Sequence, residues 1–267
     1  MIMRRLSSAL FILIILGRIY SQDEILSTIQ TIQQLDSIAE FSFAIMSDNK
    51  GEGPKTDETM HRLVQWNRER ENVCIIGLGD HVKKKWKNQF IPFINTDTWW
   101  HAWFLPNIAD GENEYYGKNQ ADWGSGSLIF DEISPSPSIT ISHSENKSDY
   151  YAQIPVKQYT IHLIQLHYPD SPKNDQVAFR DVSKKFLDST LQLIPNDSLS
   201  IVIAAAHSRN GWWVEFLSKE LQRKVLEQCD LVLSATTHFF KRKTYSEHSI
   251  DAPALVINTG STSYPSK

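Results

Sequence analysis

The feature that most constrains this chain is a series of short apolar segments, mostly without polar alternation, separated by stretches with helical periodicity. Runs of this kind are typical of strands buried on both faces, as in parallel sheets covered by helices. The pattern therefore predicts an α/β domain. The predicted strands cover residues 41–46, 73–78, 104–108, 159–166, 200–206, 231–234 and 254–258.

Three segments between these strands carry apolar residues at the spacing of an amphipathic helix. Their apolar stripes begin at Met60, Val182 and Trp213, and Pro195 is expected to end the second helix. Residues 117–158 are rich in Gly, Ser and Pro, which predicts hairpins and loops there. The helices are expected to cover the sheet on its faces.

The first residues have the pattern of a secretory signal peptide. Arg4 and Arg5 precede an apolar run at 10–17, and the small Ser21 offers a cleavage point. The run is much shorter than the roughly 20 residues that span a bilayer. We therefore predict a secreted or periplasmic protein with no stable membrane span after cleavage, and an uncleaved membrane anchor is the alternative.

This interpretation divides the chain into a signal peptide at 1–22, an N-terminal lead-in at 23–40 and one domain at 41–267. The whole chain has 27 Lys and Arg against 31 Asp and Glu. Cleavage of the predicted signal peptide removes three arginines, so the mature protein would be more acidic than the whole chain. Such a balance excludes a broad basic surface for nucleic acid.

The two cysteines, Cys74 and Cys229, each lie at the start of an apolar run. A cysteine in that setting behaves as a small hydrophobic residue, so two buried thiols are expected. An exported compartment would permit a disulfide, but the sequence does not supply the geometry that a disulfide needs.

Five predicted strands are followed by a carboxylate or an imidazole. In α/β folds, ligands gather at the carboxyl ends of the strands. Oxygen ligands combined with histidine suit Zn, Mn or Fe, and a carboxylate between two such ions serves a two-metal hydrolase. The five predicted metal ligands are Asp48, Asp80, Glu112, His207 and His238.

Each of these residues also has a simpler interpretation. Asp48 and Asp80 are also typical caps of a turn or helix. A single histidine such as His207 is more often a hydrogen-bonded structural residue than a ligand. The ordered series at five strand ends is what favours a metal site.

The order and spacing of these motifs resemble the calcineurin-like metallophosphoesterase family, whose motifs run D-x-H, G-D, G-N-H-E/D, a single H and G-H-x-H. The resemblance extends from about Phe41 to Ser261. It implies a four-layer α/β/β/α sandwich, one or two divalent transition metal ions (Mn, Fe or Zn) and hydrolysis of a phosphomonoester or phosphodiester. The matching segments are Asp48, Gly79-Asp80, Gly111-Glu112-Asn113-Glu114, His207, Ala235-Thr236-Thr237-His238 and Asn258-Thr259-Gly260-Ser261.

Glu112 replaces the family's asparagine with a stronger ligand, and three further departures from the family pattern are losses. Lys50 and Thr236 stand where the resemblance implies metal-binding histidines, and Asn113 stands where it implies the histidine that assists the leaving group. An amide cannot act as a general acid. The Lys50 ammonium has two interpretations: it binds a phosphoryl oxygen as a point charge, or it neutralises Asp48 in an inactive site.

These departures leave two functional hypotheses. One is a hydrolase that takes a phosphorylated small molecule or another phosphoester, with Lys50 and Asn113 as catalytic residues. The other is a catalytically impaired pseudo-phosphoesterase that binds a ligand or a protein. Three further histidines near predicted strand ends, His81, His101 and His167, could compensate for the lost ones or be structural.

Overall fold

Two β-sheets form the centre of the protein in the computed structural model. The structure describes residues 40–47, 74–79, 104–105, 138–145, 149–167, 174–207, 212–235, 241–243, 245 and 254–259. Its strands are β1 Ala44–Met46, β2 Ile75–Gly77, β3 Phe104–Leu105, β4 Thr140–His143, β5 Tyr150–Val156, β6 Tyr159–Leu166, β7 Ser200–His207, β8 Leu231–Ala235, β9 Lys241–Lys243 and β10 Leu255–Asn258.

The smaller sheet has the order β1-β2-β3, and its three strands are parallel. The larger sheet has the order β4-β5-β6-β7-β8-β10-β9. Within it β6, β7, β8 and β10 are parallel, while β4, β5 and β9 pair antiparallel at the two sides. Parallel strands place their carboxyl ends at one edge of a sheet, so the larger sheet has an edge where four strands end together.

The larger sheet is apolar on both faces, as the unalternated runs predict. One face packs against the smaller sheet, and the other face packs against helices. In β7, for instance, Ile203 faces the smaller sheet and Ala204 faces the helices. All eight residues of this strand are buried. Two separate cores therefore share one sheet.

The helices of the described part lie on the second face of the larger sheet. They are α1 Asn174–Leu193 and α2 Lys219–Gln228, with a 3-10 helix at Trp213–Phe216 before α2. α1 ends two residues before Pro195, as predicted. Of the helices in the described ranges, none is long and apolar enough to cross a membrane.

The described layers are thus sheet, sheet and helix, in that order. The opposite face of the smaller sheet carries Ala44, Met46 and Ile75, which are buried as well. The helix predicted from Met60 lies outside the described residues. The mixed α/β class is confirmed, and the outer helical layer of the four-layer sandwich stays a prediction, as does the single-domain boundary at residue 41.

Both cysteines are buried free thiols, as expected. Cys74 belongs to the core between the sheets and Cys229 to the core beneath the helices. The larger sheet separates them, so no disulfide joins them. Burial raises the pKa of the Cys74 thiol to about 12, which keeps it protonated.

Candidate metal centre at the carboxyl ends of the strands

The carboxyl ends of the two sheets are joined by buried hydrogen bonds. The hydroxyls of Ser47, after β1, and Thr259, after β10, are 2.8 Å apart. The Gln165 amide at the end of β6 donates to the carbonyl of Gly77 at 3.0 Å and to that of Leu105 at 3.4 Å. These contacts bring the ends of β1, β2 and β3 against those of β6 and β10.

His207 makes a further contact across the same junction. It is the last residue of β7, it is 8% exposed, and its Nδ1 is 2.7 Å from the carbonyl oxygen of Leu78. A carbonyl only accepts hydrogen bonds, so Nδ1 carries the proton. The lone pair of the neutral ring is then on Nε2, which is the form in which an imidazole binds a metal.

Gly79 follows Leu78 and has a φ of 86°. This left-handed conformation favours glycine, because a Cβ atom would be strained there. The glycine of the predicted Gly79-Asp80 motif therefore has a structural reason: it allows the chain to turn directly after β2. Asp80 is the next residue in the sequence.

Of the predicted site residues, His207 falls in the part of the chain that the structure describes. Within that part, no group of three or more His, Cys, Asp or Glu side chains is arranged to hold a metal ion. The other predicted site residues lie outside the described residues: Asp48, Lys50, Asp80, Glu112, Asn113 and His238. Thr236, His81 and His101 also lie outside them.

Chain connectivity still relates two of these residues to the junction. Asp48 directly follows Ser47, which contacts Thr259, and Asp80 lies two residues after Leu78, which contacts His207. Asp48 and Asp80 therefore come directly after described segments that end at the junction. Carboxylate and imidazole together form a donor set that suits Zn, Mn or Fe.

Sequence reasoning missed a buried carboxylate beside this edge. Asp149 is fully buried, and its Oδ1 accepts a hydrogen bond from the backbone N–H of His167 at 2.7 Å. The Ser183 hydroxyl, from α1, is 3.0 Å from both carboxylate oxygens and 3.0 Å from the His167 carbonyl. Asp149 lies within the segment predicted to form loops and hairpins, where nothing in the sequence distinguishes it from a solvated acid.

Gln165 was also missed, although the sequence does carry a signal for it. It is a polar residue between the apolar Ile164 and Leu166, and it is 1% exposed. A buried amide needs hydrogen-bond partners, so a polar residue in such a run indicates a contact to another element. The sequence does not say which element.

Comparisons with known proteins give a fold but no family. No family model matches the chain, and no curated protein matches it. Among solved structures, GAP50, the anchor in the inner membrane complex of Plasmodium, has a TM-score of 0.56 at 12% identity over 83% of this chain and 71% of its own.

Two other solved structures match with lower TM-scores. A dimetal phosphatase from Danio rerio has a TM-score of 0.48 at 12% identity, covering 83% of this chain and 88% of its own. A predicted phosphoesterase from Streptococcus pneumoniae has a TM-score of 0.35 at 9% identity, covering 84% of this chain and 75% of its own. The similarity to GAP50 shows that this chain has the same overall fold as that protein.

Proposed function

We propose that this protein is a metal-dependent hydrolase of a phosphate ester that acts outside the cytoplasm. The observation that carries the proposal is the contact between His207 Nδ1 and the Leu78 carbonyl, at 2.7 Å. Metal-binding histidines commonly donate their second ring N–H to a carbonyl, which fixes the tautomer and the ring orientation. His207 has this arrangement at the strand edge where the sequence predicts the other ligands.

In this proposal Asp48, Asp80, Glu112, His207 and His238 hold the cation. A divalent cation, when bound, supplies the positive charge that activates water and stabilises the phosphoryl oxygens. Lys50 binds a phosphoryl oxygen through its ammonium group. Asn113 donates a hydrogen bond to the substrate and transfers no proton. Without a leaving-group acid, slow turnover is expected.

A binding module without catalysis is the second candidate, and a specific observation favours it. GAP50, whose fold this chain shares, is described as an anchor. The three departures at Lys50, Asn113 and Thr236 fit such a protein as well.

The deciding experiment measures metal content and hydrolysis of an activated phosphomonoester and phosphodiester by the purified mature chain. Asp80→Asn removes the charge of the ligand predicted to be shared, and turnover is expected to fall by at least about 100-fold. Asp181→Asn is the matched control, because Asp181 is exposed on α1. Its turnover should equal that of the wild type.

If the metal-loaded wild type hydrolyses neither probe faster than Asp80→Asn between mildly acidic and mildly basic pH, the hydrolase proposal is wrong. The binding-module hypothesis then takes its place. Elemental analysis of the same samples separates a metal-binding protein from one that binds no metal.

A further inference from the structure

A second histidine lies beside His207 at the end of the neighbouring strand. β6 and β7 are parallel, and Leu166 pairs with Ala206 at the end of their register. The next residues along the two strands are His167 and His207. Neighbouring strands are about 4.8 Å apart, so the two histidines start from adjacent backbone positions.

Strand alternation places both histidines on the face of the larger sheet that meets the smaller one. In β6, Ile161 and Leu163 belong to the core between the sheets, and Gln165 donates across it to Gly77. Side chains two residues apart share a face, so His167 continues this series. His207 belongs to the same face, because its ring reaches Leu78.

The backbone of His167 is held on both sides. Its N–H donates to the Asp149 carboxylate at 2.7 Å, and its carbonyl is 3.0 Å from the Ser183 hydroxyl. Both contacts come from elements other than β6 and β7, and both use main-chain atoms of His167. They fix the position from which the imidazole extends. The residue is 4% exposed.

We propose that His167 is a further ligand of the metal ion bound by His207. This inference rests on the proposed function, since it assumes a cation at that edge. The resemblance implies a histidine at Thr236, which directly follows Ala235, and Ala235 of β8 is paired with His207. His167 flanks β7 on its other side. The imidazole missing after β8 is thus supplied after β6, and imidazole suits the same metals.

The test titrates the chelator-treated mature chain with Zn²⁺ alone by calorimetry, and with Co²⁺ alone by visible absorption. In His167→Ala, Zn²⁺ affinity is expected to fall by at least about tenfold, and the Co²⁺ bands to shift because a nitrogen ligand is lost. A purely structural histidine would not move the Co²⁺ spectrum. His207→Ala should give a similar or larger loss.

His162→Ala is the matched control. His162 lies in β6, the strand that ends just before His167, and is also 4% exposed. It is on the opposite face, in contact with Tyr151. Its Zn²⁺ affinity and Co²⁺ spectrum should equal those of the wild type. Thermal unfolding in the presence of chelator checks that each variant folds. If His167→Ala does not fold, His167→Gln, which keeps more of the side-chain volume, takes its place.

The outcomes separate this inference from the proposed function. If His207→Ala loses affinity while the folded His167 variant keeps the wild-type affinity and Co²⁺ spectrum, the inference is wrong and the proposed function stands. It is equally wrong if His162→Ala has the same effect as His167→Ala. If the wild type binds no Zn²⁺ at all, the proposed function fails and this inference fails with it.

Discussion

At the scale of single residues, β6 carries a buried histidine that faces away from the candidate site. His162 points toward the helices, where its Nδ1 is 2.6 Å from the Tyr151 hydroxyl and the two rings are stacked at 5.9 Å. Burial lowers the pKa of His162 below its ordinary value of 6.5, and the negative charge of Asp197 opposes that shift. The fold therefore favours the neutral ring.

This shift predicts a pH dependence of stability. His162 takes up a proton at about pH 6.5 in the unfolded chain but only at lower pH in the folded chain. The stability contributed by the neutral ring is therefore present above about pH 6.5 and is lost as the pH falls below it. The free energy of unfolding should decrease as the pH is lowered from about 7.5 to about 5, a range that brackets the ordinary histidine pKa. His162→Gln should make the decrease smaller, measured by denaturant unfolding at both pH values. An unchanged pH dependence in the variant would contradict the assignment.

At the scale of elements, the structure divides one predicted helix into two. The apolar stripe beginning at Trp213 predicts a continuous helix, but a 3-10 helix ends at Phe216 and α2 starts at Lys219. Ser218 explains the division: its backbone is extended and its hydroxyl accepts a hydrogen bond from the N–H of Leu221. Serine is a favoured N-cap, so a new helix begins there.

Removing this cap has a predicted cost. Ser218→Ala should lower the free energy of unfolding by about 1 kcal/mol, because the N–H of Leu221 loses its acceptor. Ser189→Ala is the matched control: Ser189 is exposed within α1, where alanine is the better helix former. It should leave stability unchanged or raise it by a few tenths of a kcal/mol, about the difference in helix propensity. Equal effects of the two substitutions in denaturant unfolding would contradict the cap.

At the scale of the whole molecule, stability depends on how the two sheets meet. The core between them is apolar, and burial raises the pKa of Tyr150 well above its ordinary value, so its phenol stays neutral there. Polar links concentrate at the carboxyl edge, where Gln165 contacts the carbonyls of Gly77 and Leu105. These links fix the position of one sheet against the other at the candidate site.

Gln165 therefore has a predicted role in joining the sheets. Gln165→Leu keeps a similar side-chain volume but removes the hydrogen-bond donor of two buried carbonyls. This loss should lower the free energy of unfolding by about 1–3 kcal/mol. The matched control is Gln192→Leu, because Gln192 is exposed on α1 and contacts Asp188 only at the surface. That substitution should change stability by less than about 0.5 kcal/mol. If Gln165→Leu were as stable as the wild type, the packing of the two sheets would not depend on this hydrogen bond.

Sequence reasoning is strongest where local periodicity decides the structure. Strand β6 was predicted residue for residue, and Trp213 is fully buried, as the apolar stripe that begins there predicts. The thiols of Cys74 and Cys229 are buried as expected. All of these follow from local periodicity and from the free energy of removing apolar surface from water, and both are properties of short stretches of chain.

Only the tertiary structure decided which polar groups meet. Ser47 and Thr259 are 212 positions apart in the sequence, yet their hydroxyls are in contact. β10 lies between β8 and β9, and His167 lies beside His207, because of strand order and register. Periodicity determines that a strand is buried, but it does not determine its neighbours, since many pairings bury the same apolar area. The sequence by itself therefore determined the buried parallel strands and the order of the motifs along the chain. Long-range packing decided which elements and polar groups are neighbours.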